Sequence, residues 1–437
     1  MQIISQIAFL IALSTAGYFA YKSYVRIKRN IFLGKKYSPT INISEAIKNM
    51  VLFAFGQKKM FDRPTPAFLH LFIYLGFIIV NLEILEIVLD GLLGTHRLFA
   101  PVLGGVYPFL INVFEFFAVA VIISCVAFFV RRNVTKVPRF QSPELNDFPR
   151  RDANTILYIE VVLMFAFLNM NAIDQLLQAR GASHYFQTGG FFFSGLIQPL
   201  YAAASTEGLE IAERFYWWAH ILGVFAFANY LPYSKHLHII LAFPNTYYSS
   251  ETPKGHINNM PVVTNEVKLM LGLSAETLAT PEAPGRFGAK DVQDLTWKNV
   301  LDAYSCTECG RCTSNCPANI TGKKLSPRKI MMDTRDRAEE IGKNLDAGKL
   351  AEDGKSLYGD YISQEELLAC TTCNACVEAC PVNINPLEII VELRRFMIME
   401  ETKAPQSWNA MFSNVENNAA PWKFAASDRM NWVEKLS

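Results

Sequence analysis

The chain has 437 residues, an apolar content of 51% and a net charge of +1. So small a charge excludes a global field for nucleic acid, and charge matters only through where it falls. Nine cysteines, Cys125 alone and eight between Cys306 and Cys380, exclude the disulfide framework of a secreted domain.

In chain order, five apolar runs are close to the length that crosses a bilayer as a helix: residues 3–24, 68–89, 107–130, 156–173 and 215–233. The first lacks a preceding basic region and a small-residue cleavage site, so it is expected to be retained. Cys125, inside the third run, reads as a small packing residue. Lys and Arg crowd the loops after the first span (Arg26 to Arg63) and the third (Arg131 to Arg151), while the opposite loops hold little beyond Arg97 and Arg180. The loop bias places those basic loops, and everything after residue 233, on the cytoplasmic side. Residues 44–55 fit a short amphipathic helix at the membrane surface, with Ser44 as N-cap.

Three histidines stand at membrane positions. His220 and His238 are eighteen positions apart, close to five helical turns, so a continuous helix would present both on one face, with His236 pointing away. His70, just inside the second span, is level with His238. Two such imidazoles can serve as axial ligands of a b-type haem, or simply hydrogen-bond backbone and headgroups. Polar residues inside the spans, among them Glu83, Asn112 and Glu115, are expected to face inward. There they either serve a quinone or proton path or join helices by hydrogen bonds.

The strongest chemistry is a repeated C-x2-C-x2-C-x3-C-P. One copy is Cys306, Cys309, Cys312, Cys316 and Pro317; the other is Cys370, Cys373, Cys376, Cys380 and Pro381. Three thiolates in a tight turn hold three irons of a cubane, and the fourth reaches across to the other cluster. This spacing predicts two [4Fe-4S] clusters, one on Cys306, Cys309, Cys312 and Cys380, the other on Cys370, Cys373, Cys376 and Cys316. Zinc motifs need neither the third cysteine nor the trailing Cys-Pro. Helices are expected at 327–337 and 365–369, and an Ala, Pro and Gly-rich linker at 280–290.

Three resemblances extend this reading. Trp218-Ala-His220 through Pro232-Tyr-Ser-Lys-His-Leu-His238 resembles the last helix of the gamma subunit of respiratory nitrate reductases, a five-helix dihaem family that handles quinol. Its second helix carries two histidines ten residues apart; Phe-Leu-His70-Leu-Phe matches the first, but Val80 stands at the second. The resemblance therefore implies a haem b between His70 and His238. With no partner for His220 except His96 in the outer loop, it implies one haem rather than two, leaving His220 to a quinone pocket or polar network.

The long stretch between the cysteine motifs resembles the helical ferredoxin domains of succinate dehydrogenase and heterodisulfide reductase type subunits. Phe287-Gly, Asp294-Leu-Thr-Trp297-Lys and Thr321-Gly-Lys-Lys-Leu-Ser-Pro327 are similar to membrane iron-sulfur oxidoreductases that pass electrons from electron-transfer flavoprotein to quinone. Such proteins usually continue into a domain with two Cys-Cys-Gly motifs. The segment from Asn414 to Trp432 resembles the lead-in to it, and no Cys-Cys-Gly follows.

The expected fold is an all-α membrane bundle of about five helices (1–240), a cytoplasmic linker (241–295), a mostly helical two-cluster ferredoxin domain (296–400) and a partner-binding tail (401–437). The resemblance implies a subunit of a membrane quinone oxidoreductase in the respiratory chain of a bacterial inner membrane. It relays electrons between menaquinone or ubiquinone and a cytoplasmic partner such as electron-transfer flavoprotein, in either direction, through a separate Cys-Cys-Gly subunit. The rival expectation is a haem-free anchor whose ferredoxin domain relays electrons between soluble partners.

Overall fold

The computed structural model describes residues 2–39, 41–249, 255–273, 286–434 and 436. Among them the chain is helical, with isolated bridges and no strand. Four helices are long and apolar enough to cross a membrane: α1 (Gln2–Ile31), α3 (Pro64–Leu93), α4 (Val106–Asn133) and α5 (Phe148–Ala179). The fifth expected run lies in α6 (Thr206–Tyr230), which packs along α5 but is not among those four. Glu213 and Arg214 near one end, Asn229 at the other and His220 between them dilute its apolar content.

The bundle is a serial stack of α3 on α4, α4 on α5 and α5 on α6, with α1 across α3 and α6. Small residues permit the close crossings. A Cβ on Gly223 of α6 would sit 2.6 Å from the Leu163 side chain of α5, and one on Gly91 of α3 would strike the Phe9 ring of α1 at 2.8 Å. Phe9, fully buried, packs on Trp217, Trp218 and Phe225 of α6.

The surface segment forms α2 (Ile43–Asn49), continued by a π-helical turn over Met50–Phe55. Its N-cap is Asn42 rather than Ser44: the Asn42 side chain accepts from the backbone N–H groups of Ser44 and Glu45. Ile43, Ile47, Val51 and Phe55 form an exposed apolar stripe, as expected for a helix lying in an interface.

The single long helix expected through His220 and His238 is broken. α6 ends at Tyr230, Leu231–Tyr233 and Lys235–Leu237 are 3-10 turns, and α7 (His238–Tyr247) starts afresh. Pro232, which cannot donate a helical hydrogen bond, sits at the break. The eighteen-residue helical arithmetic therefore does not apply.

The cysteine half is built on α8 (Trp297–Tyr304), α9 (Pro327–Asp346) and α10 (Pro386–Met399). Val300, Ile330, Ile341, Leu367, Ile389 and Leu393 fill its core, which also takes in Ile27 and Ile31 from the end of α1. Of the expected linker, 280–285 lies outside the described residues, whereas Ala289, Val292 and Leu295 are already core.

Backbone pairing locks the two halves together. Lys35 N–H donates to Leu295 O at 2.7 Å and Trp297 N–H to Lys35 O at 3.2 Å. A Cβ on Gly34 would lie 2.7 Å from the Thr296 backbone, so the contact requires glycine. Arg328, wholly buried, donates to Glu144 at 2.7 Å and Arg139 O at 2.8 Å in the loop between α4 and α5. Beyond α10, α11 (Gln406–Asn418) leaves Met411, Phe412 and Val415 exposed, as are Trp422 and Trp432 further on.

Candidate redox centres

The two cysteine loops wind alike. Glu308 and Gly310 in the first, and Thr372 and Asn374 in the second, take positive φ on either side of the second cysteine. Three non-glycine residues in this region are a local strain that surrounding structure must hold. Each third cysteine begins or enters a short helix, Arg311–Ser314 or Ala375–Glu378, and Pro317 follows the fourth cysteine of the first copy as a helix N1 residue.

The structure brings the fourth cysteine of each copy to the other copy's trio. Cys316 lines one cavity with Cys370, Cys373 and Cys376, closed by Leu325, Pro327, Leu387 and Ile390. Cys380 stands within electrostatic reach of Cys306, Cys309 and Cys312. All eight thiols are free. Burial, and then neighbouring negative groups, pushes Cys306, Cys376 and Cys380 up to about 12. Crowded buried thiols of this kind ionise readily only around a bound cationic centre, and this donor set fits an iron-sulfur cluster. Among the described residues, no three His, Cys, Asp or Glu groups converge on a single-ion site. Cys125 is buried between membrane helices.

The first loop is tied to the turns that flank the membrane helices. Arg311 donates to Lys59 O at 2.7 Å and to Met60 O at 3.2 Å. Glu308, 5% exposed, pairs with Lys235 and, at 2.9 Å, with Arg335. Burial pushes the Glu308 carboxyl up, but Lys235 and Arg335 outweigh it and hold it below its ordinary range. By contrast Cys373 of the second loop is exposed.

The histidines meet at this junction. The ring centroids of His70 and His238 are 6.4 Å apart. Metal–imidazole bonds of about 2 Å on either side of one ion would place two ring centres roughly 6 Å apart. His70 Nδ1 lies 3.1 Å from Gln57 Oε1, and His238 Nδ1 3.0 Å from Lys235 O. Such bonds fix the tautomer of metal-binding imidazoles and leave Nε2 for the metal, so the pair fits a bis-imidazole haem. Gln57 reaches His70 because it adopts φ 49 directly after the π-helical turn. His236, expected to point away, instead stacks edge-on to His238 at 5.5 Å. Once Pro232 ends α6, helical periodicity no longer governs its direction.

His220 is 1% exposed, with Nδ1 3.0 Å from Leu163 O and Nε2 without a hydrogen bond. Val80 is buried on α3 and offers no ligand. His96 is engaged at both nitrogens, Nε2 with Asp174 at 3.0 Å and Nδ1 with Arg214 at 3.5 Å.

Towards the other end of the bundle lies a buried polar network that sequence periodicity does not reveal. Arg97, 5% exposed, donates to Asn171 at 2.6 Å and pairs with Asp174 at 2.9 Å and, more distantly, Glu83 at 3.6 Å. Tyr107 donates to Glu86 at 2.8 Å, and Asp90 accepts from the Arg97 backbone. Glu83 Oε1 makes no hydrogen bond. Glu115 accepts from the N–H groups of Phe193 and Ser194, and Asn112 from that of Phe192, so these two pin the loop after α5.

Comparisons with known proteins agree with this chemistry. Residues 305–384 match the 4Fe-4S dicluster domain. The "Probable iron-sulfur-binding oxidoreductase FadF" of Bacillus subtilis is 27% identical over 99% of this chain and 61% of its own length. The "EtfAB:quinone oxidoreductase" of Syntrophomonas wolfei subsp. wolfei is 27% identical over 90% of this chain and 54% of its own. The "Probable membrane-anchored ferredoxin" of Chromohalobacter salexigens is 31% identical over 38% of this chain and 26% of its own. The chain thus spans somewhat over half the length of the first two. No solved structure matches. These similarities support an iron-sulfur oxidoreductase with a dicluster domain.

Proposed function

We propose that the chain is the membrane electron-transfer subunit of a quinone oxidoreductase. One observation carries the reading: the first cysteine loop is joined through Arg311 to the segment that positions His70, and through Glu308 to Lys235, whose carbonyl faces His238. Cys306, Cys309, Cys312 and Cys380 would hold the membrane-facing cluster. Cys370, Cys373, Cys376 and Cys316 would hold the one nearer the surface at Cys373. A haem b held by His70 and His238 would supply one-electron exchange with the quinone side.

In this reading the protein's own residues exclude water and fix distances. Glu308 is held between Lys235 and Arg335 beside the first loop. Glu83, whose Oε1 makes no hydrogen bond and meets Arg97 only at 3.6 Å, is the candidate proton-handling group, while His220, Asn112 and Glu115 shape the bundle around it. α6 serves as a fifth span, and the loop charges support a ferredoxin domain on the cytoplasmic side, in this reading of a bacterial inner membrane. The exposed tail from α11 onward faces a Cys-Cys-Gly unit, through which a donor or acceptor such as electron-transfer flavoprotein exchanges electrons with menaquinone or ubiquinone.

Iron analysis and reduced-minus-oxidised visible spectra of the detergent-purified chain test this. About eight irons in clusters with one low-spin haem b is the expected result. Full cluster iron without haem bands would favour the haem-free anchor.

A further inference from the structure

A cavity of about 650 Å³ lies where α2, the end of α7 and the second cysteine loop meet, outside the relay described above. Its volume is that of a small-molecule site. Three features of its wall point to one class of ligand.

Asn374 and Leu387 line both this cavity and the one formed by Cys316, Cys370, Cys373 and Cys376. A ligand here is one layer of side chains from those thiols. Across the cavity stand Asn49 and Phe53, which belong to the same surface segment whose Ile43, Ile47, Val51 and Phe55 are exposed as an apolar stripe. The cavity thus lies behind a segment built to rest on a membrane surface. The wall also carries proton donors. Lys298, 7% exposed, donates to Asp302 at 2.8 Å, with Glu388 close by. Burial raises both carboxyls, and the two face the one lysine.

We propose that this cavity is a quinone headgroup site, reached along the α2 segment and exchanging electrons with the cluster held by Cys316, Cys370, Cys373 and Cys376. The assignment rests on the quinone reading above and adds a second point of contact, one that bypasses His70 and His238. The quinone would take two electrons, supplied singly by the reduced cluster, and two protons from solvent at the cavity wall, where Glu388 and His256 both stand. It leaves as quinol, and the reverse sequence returns both.

The test uses the full chain in detergent, reduced with dithionite, and decylubiquinone as acceptor. Val391→Trp fills the cavity from α10. The expected result is a KM for the quinone raised about tenfold or more at unchanged iron content and cluster EPR spectrum. An azidoquinone should label wild-type peptides containing Phe53 or Glu388. An unchanged KM in a variant that keeps its clusters, with label confined to the helices around His220, overturns the assignment. Should Val391→Trp lose its clusters, the labelling of wild-type protein decides alone. If dithionite-reduced wild type reduces no quinone and takes no label, the quinone reading itself falls. Turnover in wild type with label elsewhere removes only this site.

Discussion

The imidazoles of His70 and His238 face each other at 6.4 Å, and the elements that orient them both reach the same cysteine loop, through Arg311 on one side and Glu308 on the other. Replacing either histidine by Ala should abolish the haem b absorbance while leaving iron-sulfur content intact, because neither imidazole belongs to the cysteine ligand sets. His220→Ala should keep it. Visible spectra of the three variants, normalised to non-haem iron, provide the check.

Cys316 belongs by sequence to the first motif but lies in the cavity of the second. Cys316→Ser should therefore perturb the EPR signal of the surface-facing cluster and spare the other, and Cys380→Ser should do the reverse. If each substitution affected the cluster of its own motif, the crossed ligand sets would be wrong.

Arg337 is 1% exposed and forks between Asp291 and Asp353 at 2.8 Å each, with a third bond to Lys355 O. Arg337→Met leaves Asp291 buried without its partner and should cost about 3–5 kcal/mol. Arg337 also holds the Asp353 carboxyl well below the usual carboxylate range. A depressed folded value stabilises above the unfolded pKa of about 3.9 and is lost as pH falls through the folded one. Thermal unfolding of the full chain in detergent should show this acid-side loss in wild type and lack the Asp353 contribution in Arg337→Met.

Arg97 occupies the equivalent role at the far end of the bundle, where Asp174 and Glu83 are almost wholly buried. Arg97→Met should destabilise by roughly 3–5 kcal/mol through the stranded carboxylates. Arg97→Lys should rescue little, since a lysine cannot bridge Asn171 and Asp174 in one plane. Denaturant midpoints in detergent would measure both.

Glu83→Gln keeps shape and removes the ionisable group. Quinone turnover should fall about a hundredfold or more at constant haem and cluster content, the usual contribution of a general acid-base group that carries the proton directly. Unchanged turnover would assign Glu83 to structure alone.

Much of this was legible because the governing signals are local. The cysteine spacing carries its own geometry, and four apolar runs coincide with helices that are apolar enough to span. The helices extend beyond those runs for reasons no local window contains. α1 continues through Arg29 because that side chain pairs with Asp346 and donates to Gly342 O on α9. The His220 and His238 register failed at Pro232, a break that its missing N–H could have announced. The stacking of His236 follows from that break. The Arg97 network gathers residues from α3, α4, α5 and two loops, so only the tertiary fold shows that they meet.

The pairing of Lys35 with Leu295 and Trp297 also sets an order of biogenesis. α1 ends in Ile27 and Ile31, which share a core with Val300 and Leu301, residues translated only after α3 to α6 have been made. Throughout that interval the end of α1 waits with its apolar face bare. Closure of the cysteine half over the end of α1 is therefore a late event in the making of the chain.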